Sequence, residues 1–246
     1  MSAMKTDISW NFLGLAAACL AAWLALVVWP QMAAIETFVF VLLAWIISVC
    51  VHEYSHAATA SAFGDTTIAD SGYLTLDPVK YINGPTSLIF PILALVMGGV
   101  ALPGAAVMIR NDLIRRRWQQ SLVALAGPAS TLLIAIVVLI LAQITQGSVA
   151  GDALMLLFFF ELMAFVLNIL PIPGLDGFGA LQPFLPRRIQ AVLTSKFMGM
   201  INLALFALIF FFGYKVIVPL MALIIRPLDI DMHPVWLAFD RFQFWR

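Results

Sequence analysis

The sequence predicts an all-α polytopic membrane protein of five to six transmembrane helices, with a re-entrant segment and a short extended, β-like loop. Three observations predict it. Of the 246 residues, 63% are hydrophobic and 11% charged, whereas a soluble domain is about half apolar and a quarter charged. Apolar runs of about 20 residues, the length that crosses a hydrocarbon core, recur along the chain. Lys and Arg concentrate in alternate loops between those runs, as they do when one side of a membrane retains them.

The first run covers residues 10–28, follows Lys5 and stops at Pro30. It is too long for a signal peptide and no clear cleavage site follows, so we read a retained helix. The second covers 35–63. Its first half, TFVFVLLAWIISVCV, is apolar; its second half carries His52, Glu53 and His56 and then the small residues AATASAFG, with Gly64 as the C-cap. Residues 65–83 are polar, and the alternation Tyr73-Leu74-Thr75-Leu76 suggests the extended or interfacial segment. Residues 84–110 are apolar but broken by Pro85, Pro91, Gly98, Gly99, Pro103 and Gly104. Irregular backbone at membrane depth has to face protein or water, so this stretch is a broken span or a re-entrant excursion. Three further helices are expected over 119–144, 153–170 and 197–225.

Charge chooses between the alternatives for 84–110. With Lys5 inside, a re-entrant segment puts Arg115, Arg116 and Arg117 inside, the 145–152 loop without Lys or Arg outside, and Arg187, Arg188 and Lys196 inside. A full span would put the first cluster outside. We therefore expect five spans plus the re-entrant segment and an outside C-terminus; six full spans are the rival. The whole chain, 1–246, reads as one membrane-embedded domain with a core over about 36–180 and additional helices at 10–30 and 197–225. No hydrophilic stretch is long enough to hold a second domain. Zero net charge gives no sign of a nucleic-acid partner. Cys19 and Cys50 lie in apolar runs and read as packing residues, not a disulfide.

His52-Glu53-Tyr54-Ser55-His56 fits H-E-x-x-H. Residues four apart share a helix face, so both imidazoles reach one ion. Glu53, one position on, reaches a water at the ion's open position instead of the ion itself. Zinc held by two His and a carboxylate leaves that position open, and a carboxylate beside it serves as general base and later as proton donor. The chain has only 3 His, and two of them fall here with a Glu inside an apolar helix, where ionisable groups are costly and functional by default. A third ligand is needed. His233 lies in a Pro-flanked tail and reads as a surface or interfacial residue. Asp176 is the better candidate: it follows a long apolar helix in Asn168-Ile169-Leu170-Pro171-Ile172-Pro173-Gly174-Leu175-Asp176-Gly177, whose prolines and glycines unwind the backbone beside it. Glu161, seven residues before Asn168, is an interhelical hydrogen-bonding group or a supporting partner of the site; we favour the first. Phe158–Phe160 and Phe210–Phe212 read as lipid-facing or packing residues.

These motifs together resemble the site-2 protease family of intramembrane zinc metalloproteases, in the compact prokaryotic form without PDZ or CBS domains. The resemblance rests on His52–His56 and on the match of Asn168–Gly177 to N-x-x-P-x-P-x-L-D-G. Two weaker matches support it: Ala126-Gly127-Pro128 with the family's Gly-Pro element, and Gly72-Tyr73-Leu74-Thr75-Leu76-Asp77-Pro78 with the loop that follows the first motif. It departs at Phe178, where many members have Gly, and at Thr131, where Asn is common. The resemblance implies one zinc ion bound by His52, His56 and Asp176, Glu53 as catalytic base, and Asn168 in contact with substrate backbone or steadying the oxyanion. It also implies that residues near 98–107 shape substrate access, that the substrate is a membrane-protein helix cleaved within or near its transmembrane segment in the lipid bilayer, and that the protein sits in a prokaryotic cytoplasmic membrane. Two other readings of the same residues are a membrane transporter or metal-handling protein, which needs further ligands forming a path across the bilayer, and a non-catalytic membrane-binding relative, which needs a lost ligand or base. Beyond the motif, Glu161 is the main intramembrane candidate for such a path, and all four motif residues are present.

Overall fold

The computed structural model describes residues 8–81, 107–193, 208 and 212–245. Among these residues every regular element is helical, as the composition predicts. Helix α1 spans Trp10–Val28, α2 Ala33–Ala62, the short α3 Ile68–Ser71, α4 Arg117–Ile144, α5 Val149–Asn168, the short α6 Asp176–Leu181, α7 Arg187–Leu193, α8 Tyr214–Ile225 and α9 His233–Phe242. Four of them, α1, α2, α4 and α5, are long and apolar enough to cross a membrane. The expected span over 197–225 is described only toward its end, in α8. Most of the expected re-entrant segment, residues 82–106, lies outside the described residues, as does Lys196.

The bundle is built around α5. Its apolar residues run all the way round, and a helix of that kind belongs in an interior: 72% of its apolar window is buried, against 6% for α1. In lipid, helices associate through close packing and not through a hydrophobic drive, so small residues gather where backbones meet. Ala135 and Ala142 on α4 and Ala150 and Ala153 on α5 are buried in this seam. The turn between the two helices is tight. Gly147 takes φ +78°, Ser148 caps α5 by accepting the Gly151 amide at 3.0 Å, and a Cβ on Gly151 would strike the Thr145 backbone. A polar bond crosses the apolar centre: the Ser48 hydroxyl donates to Glu161 Oε2 at 2.6 Å. Glu161 is therefore an interhelical hydrogen-bonding group joining α2 to α5.

Two parts of the chain differ from the sequence expectation. Residues 65–81 are not extended. They form α3 and two 3-10 turns, Tyr73–Thr75 and Pro78–Tyr81. Gly72 at φ +79° and Leu76 at φ +57° reverse the chain twice, which a strand does not tolerate. The alternation at Tyr73–Leu76 instead turns Leu74 into the core, while buried Tyr81 donates its hydroxyl to Tyr73 O at 2.8 Å. Burial pushes that phenol's pKa up. This loop also ties down α1, whose Asn11 amide donates to both Asp77 carboxylate oxygens. The second difference is the tail after Ile225, which folds into α9. Val235, Ala238 and Phe242 recur at helical spacing and are fully buried. Phe242 packs on Phe38 of α2 and Phe160 of α5, and Arg241 donates to Asp152 of α5 at 2.7 Å. His233 is exposed at the start of α9, far in sequence from any ligand cluster. Cys19 and Cys50 are free.

Candidate active site

Helix α2 is 30 residues long, about 45 Å at 1.5 Å per residue, which exceeds a hydrocarbon core of about 30 Å. His52 lies about 29 Å from its start. Asn168 closes α5 at about the same 29 Å from Val149. The pairing of His56 with Val123 and of His52 with Thr131 makes α2 and α4 antiparallel, and the tight α4–α5 turn makes α5 parallel to α2. The two motifs therefore arrive at one level, at one end of the bundle.

After Asn168 the chain unwinds. Pro171 and Pro173 carry no amide hydrogen to continue a helix, and Gly174 turns at φ +95°. Helix α6 then begins at Asp176. Gly177 packs directly on the carbonyls of Ile169 and Leu170, where any Cβ would clash. That contact folds α6 back against the end of α5 and brings Asp176 to the histidines. Its Oδ2 is 3.2 Å from His52 Nε2 and its Oδ1 3.4 Å from His56 Nε2; the two Nε2 atoms are 3.1 Å apart. Among the described residues these three are the group of His, Cys, Asp or Glu able to share a metal ion.

The donor chemistry fits a cation. His56 Nδ1 donates to Val123 O at 2.7 Å. A carbonyl only accepts, so the proton of the neutral His56 ring sits on Nδ1 and Nε2 is the atom left to bind an ion. His52 Nδ1 is 2.9 Å from the Thr131 hydroxyl, and with that oxygen accepting, the His52 Nε2 lone pair faces the same point. Two nitrogen lone pairs and two carboxylate oxygens then converge, all buried or half-buried. A tetrahedral zinc site with ligand bonds of about 2.0–2.1 Å places donors roughly 3.3 Å apart, close to the three distances found. Helix α4 leaves room at the same point: at Gly127 a Cβ would meet the Nε2 atoms of both histidines. Metal-binding His commonly hands its other ring nitrogen to a carbonyl or oxygen acceptor, and the Val123 carbonyl and the Thr131 hydroxyl stand at those nitrogens here.

Glu53 is buried beside the pair, and its Oε2 accepts the Val107 amide at 3.0 Å. Asn168 is buried too. A cavity of about 200 Å³ joins His52, Glu53, His56, Asp176, Asn168 and Val107. All five sequence-predicted site residues thus line one space. Sequence reasoning missed Thr131 and the Val123 carbonyl as histidine partners, the Val107 amide, and Ser121, whose hydroxyl holds α6 at Ala180 O, 2.6 Å away. A faint signal for the first two exists: Val123, Gly127 and Thr131 recur every four residues on one face of α4.

Comparison with known proteins assigns the chain to a family. Residues 40–155 match the model of Peptidase family M50. The protein Rip2 of Mycolicibacterium smegmatis, which carries the name of a zinc metalloprotease, is 40% identical over 182 residues, 72% of this chain and 70% of its own length. Rip2 of Mycobacterium tuberculosis is 41% identical over 192 residues, 75% of this chain and 73% of that one. YwhC of Bacillus subtilis, named in the same way, is 28% identical over 166 residues, 63% and 74% of the two chains. No solved structure matches the chain. The chain belongs to Peptidase family M50, the site-2 proteases, and is a multi-pass intramembrane zinc metalloprotease.

Proposed function

We propose that the chain cleaves peptide bonds within or near transmembrane segments of membrane proteins, with His52, His56 and Asp176 as zinc ligands, Glu53 as catalytic base and Asn168 as substrate contact. The observation that carries the reading is the convergence of the three ligand atoms on one point with Glu53 buried next to them in the same cavity. Zinc held there supplies Lewis acidity and an open position at which the pKa of water falls to about 7. The residues do the rest. Glu53 takes the proton of the attacking water and returns it to the departing amine. The Val107 amide holds one carboxylate oxygen of Glu53, which keeps the other free for that proton. Asn168 presents donors and an acceptor that pair with the unwound backbone of the substrate helix. The broken backbone of 169–175, at the same end of the bundle, gives a place where a non-helical substrate segment meets protein and water instead of lipid.

The test is Glu53→Gln. This isosteric change is expected to leave about one zinc per chain and to abolish cleavage of a reconstituted model membrane substrate. Undiminished cleavage overturns the base assignment; loss of zinc in the unaltered chain overturns the whole reading and favours a transporter or partner-binding role.

A further inference from the structure

The two histidines are held by different kinds of acceptor. His56 Nδ1 meets a main-chain carbonyl, Val123 O, which no side-chain substitution removes. His52 Nδ1 meets the Thr131 hydroxyl. Thr131 is buried, at 3% exposure, and stands four residues beyond Gly127 on the face of α4 that closes the site. We propose that Thr131 is a positioning residue for the metal: its hydroxyl fixes the His52 imidazole and so sets the chain's affinity for zinc. The inference rests on the assignment of His52, His56 and Asp176 as ligands.

The chemistry of a hydroxyl explains why it suits this position. A hydroxyl both donates and accepts, whereas a carbonyl only accepts. Without an ion, two Nε2 lone pairs 3.1 Å apart would repel. The neutral His56 ring is confined to one tautomer by Val123 O, whereas the Thr131 hydroxyl can pair with either tautomer of His52. With Thr131 donating to His52 Nδ1, the His52 Nε2–H would point at Asp176 Oδ2, 3.2 Å away. With zinc held there, the proton of His52 would sit on Nδ1, the Thr131 hydroxyl would accept it, and the Nε2 lone pair would be left for the ion. The proton count of the imidazole is the same in both forms, and no heavy atom of Thr131 has to move. His52 is the ligand that adapts and Thr131 the group that keeps it paired in either state.

Valine matches threonine in shape and lacks the oxygen. Thr131→Val leaves the buried His52 Nδ1 without a partner in both states, and the ring gains by turning away from the ion. Removing such a supporting partner of a metal-binding His typically weakens binding about 10–100-fold. Serine keeps the oxygen.

The experiment measures zinc affinity of the full chain in detergent by competition with a chromophoric chelator, for the unaltered chain, Thr131→Val and Thr131→Ser. A cobalt absorption spectrum reports ligand geometry in each. The expected result is a 10–100-fold weaker affinity and an altered cobalt spectrum for Thr131→Val, with Thr131→Ser close to the unaltered chain. Equal affinity for Thr131→Val overturns the proposal, and so does an equal loss in both variants, which would assign the effect to the threonine methyl. Should Thr131→Val not fold, Thr131→Ala against Thr131→Ser makes the same comparison. An unaltered chain that takes up no stoichiometric zinc refutes the ligand assignment itself, a failure distinct from that of Thr131.

Discussion

Gly127 lies directly against His52: a Cβ at this position would fall 2.5 Å from the His52 Nε2 atom and also on the Nε2 of His56. A single methyl group would therefore crowd the point at which the Nε2 atoms of the two histidines meet. We expect Gly127→Ala to fold, since Ala is the better helix former, and to lose stoichiometric zinc along with cleavage. Metal analysis of the purified variant beside its circular dichroism spectrum checks this. Retained zinc would mean that the ion sits elsewhere.

In the proposed site Asp176 is the ligand distant in sequence. Asp176→Ala leaves two histidines and no carboxylate, and is expected to lower zinc affinity by several orders of magnitude and to end cleavage. Gly177→Ala is expected to act the same way at one remove, because its Cβ would push α6 off the carbonyls of Ile169 and Leu170 and carry Asp176 away from the histidines. Zinc titration of both variants tests the pairing of motif and fold.

Chelation removes a ligand that binds the folded chain alone. With free zinc at 100 times its dissociation constant, the ion stabilises the fold by about 2.7 kcal/mol. A strong chelator is expected to abolish activity, lower the melting temperature and, on return of zinc, restore both. Glu53→Gln should show the same zinc-dependent shift in melting without activity.

The Ser48–Glu161 bond separates packing from chemistry. Glu161→Gln keeps an acceptor for the Ser48 hydroxyl and is expected to change stability and activity little. Glu161→Leu leaves that hydroxyl buried without its partner, and is expected to cost about 1–3 kcal/mol. Thermal unfolding of the two variants checks the difference. A Glu161→Gln variant that folds normally but is inactive would move Glu161 into the catalytic machinery.

Arg241 and Asp152 join α9 to α5 through a partly buried pair. Arg241→Ala is expected to destabilise the protein by about 1–3 kcal/mol, below the range for fully buried pairs because Arg241 retains some solvent. Exchanging the two residues, Asp152→Arg with Arg241→Asp, should recover part of the loss. A double-mutant cycle on melting temperature gives the coupling.

Much of this architecture is legible in the sequence, for definite reasons. Helices α2, α4 and α5 are written as long apolar runs, and their bounds shift by only a few residues. His52 and His56 are written in helical period, and Asp176 in a stretch that cannot remain helical. What the sequence hides is whatever depends on the main chain or on a neighbouring helix. Val123 contributes a carbonyl, and any residue has one. Thr131 is an ordinary threonine until α4 lies against α2. Ser48 has no visible partner until α5 arrives beside it. Residues 65–81 mislead because alternation at Tyr73–Leu76 suits a strand, whereas the αL turns at Gly72 and Leu76 that prevent one carry little signal at Leu76. Helix α9 is missed because it is short and mixes Asp240 and Arg241 with aromatic residues, and its buried face becomes visible only against Phe38 and Phe160.

Helix α4 donates no ligand, yet Val123, Gly127 and Thr131 on its one face orient both histidines and leave the space between them. This bears on how working proteases are told from disarmed copies in genomes. A chain with both histidines, the glutamate and the aspartate intact would pass an inventory of catalytic residues and still be inert if position 127 held anything larger than glycine. Sorting such copies calls for reading the α4 column beside the ligand columns.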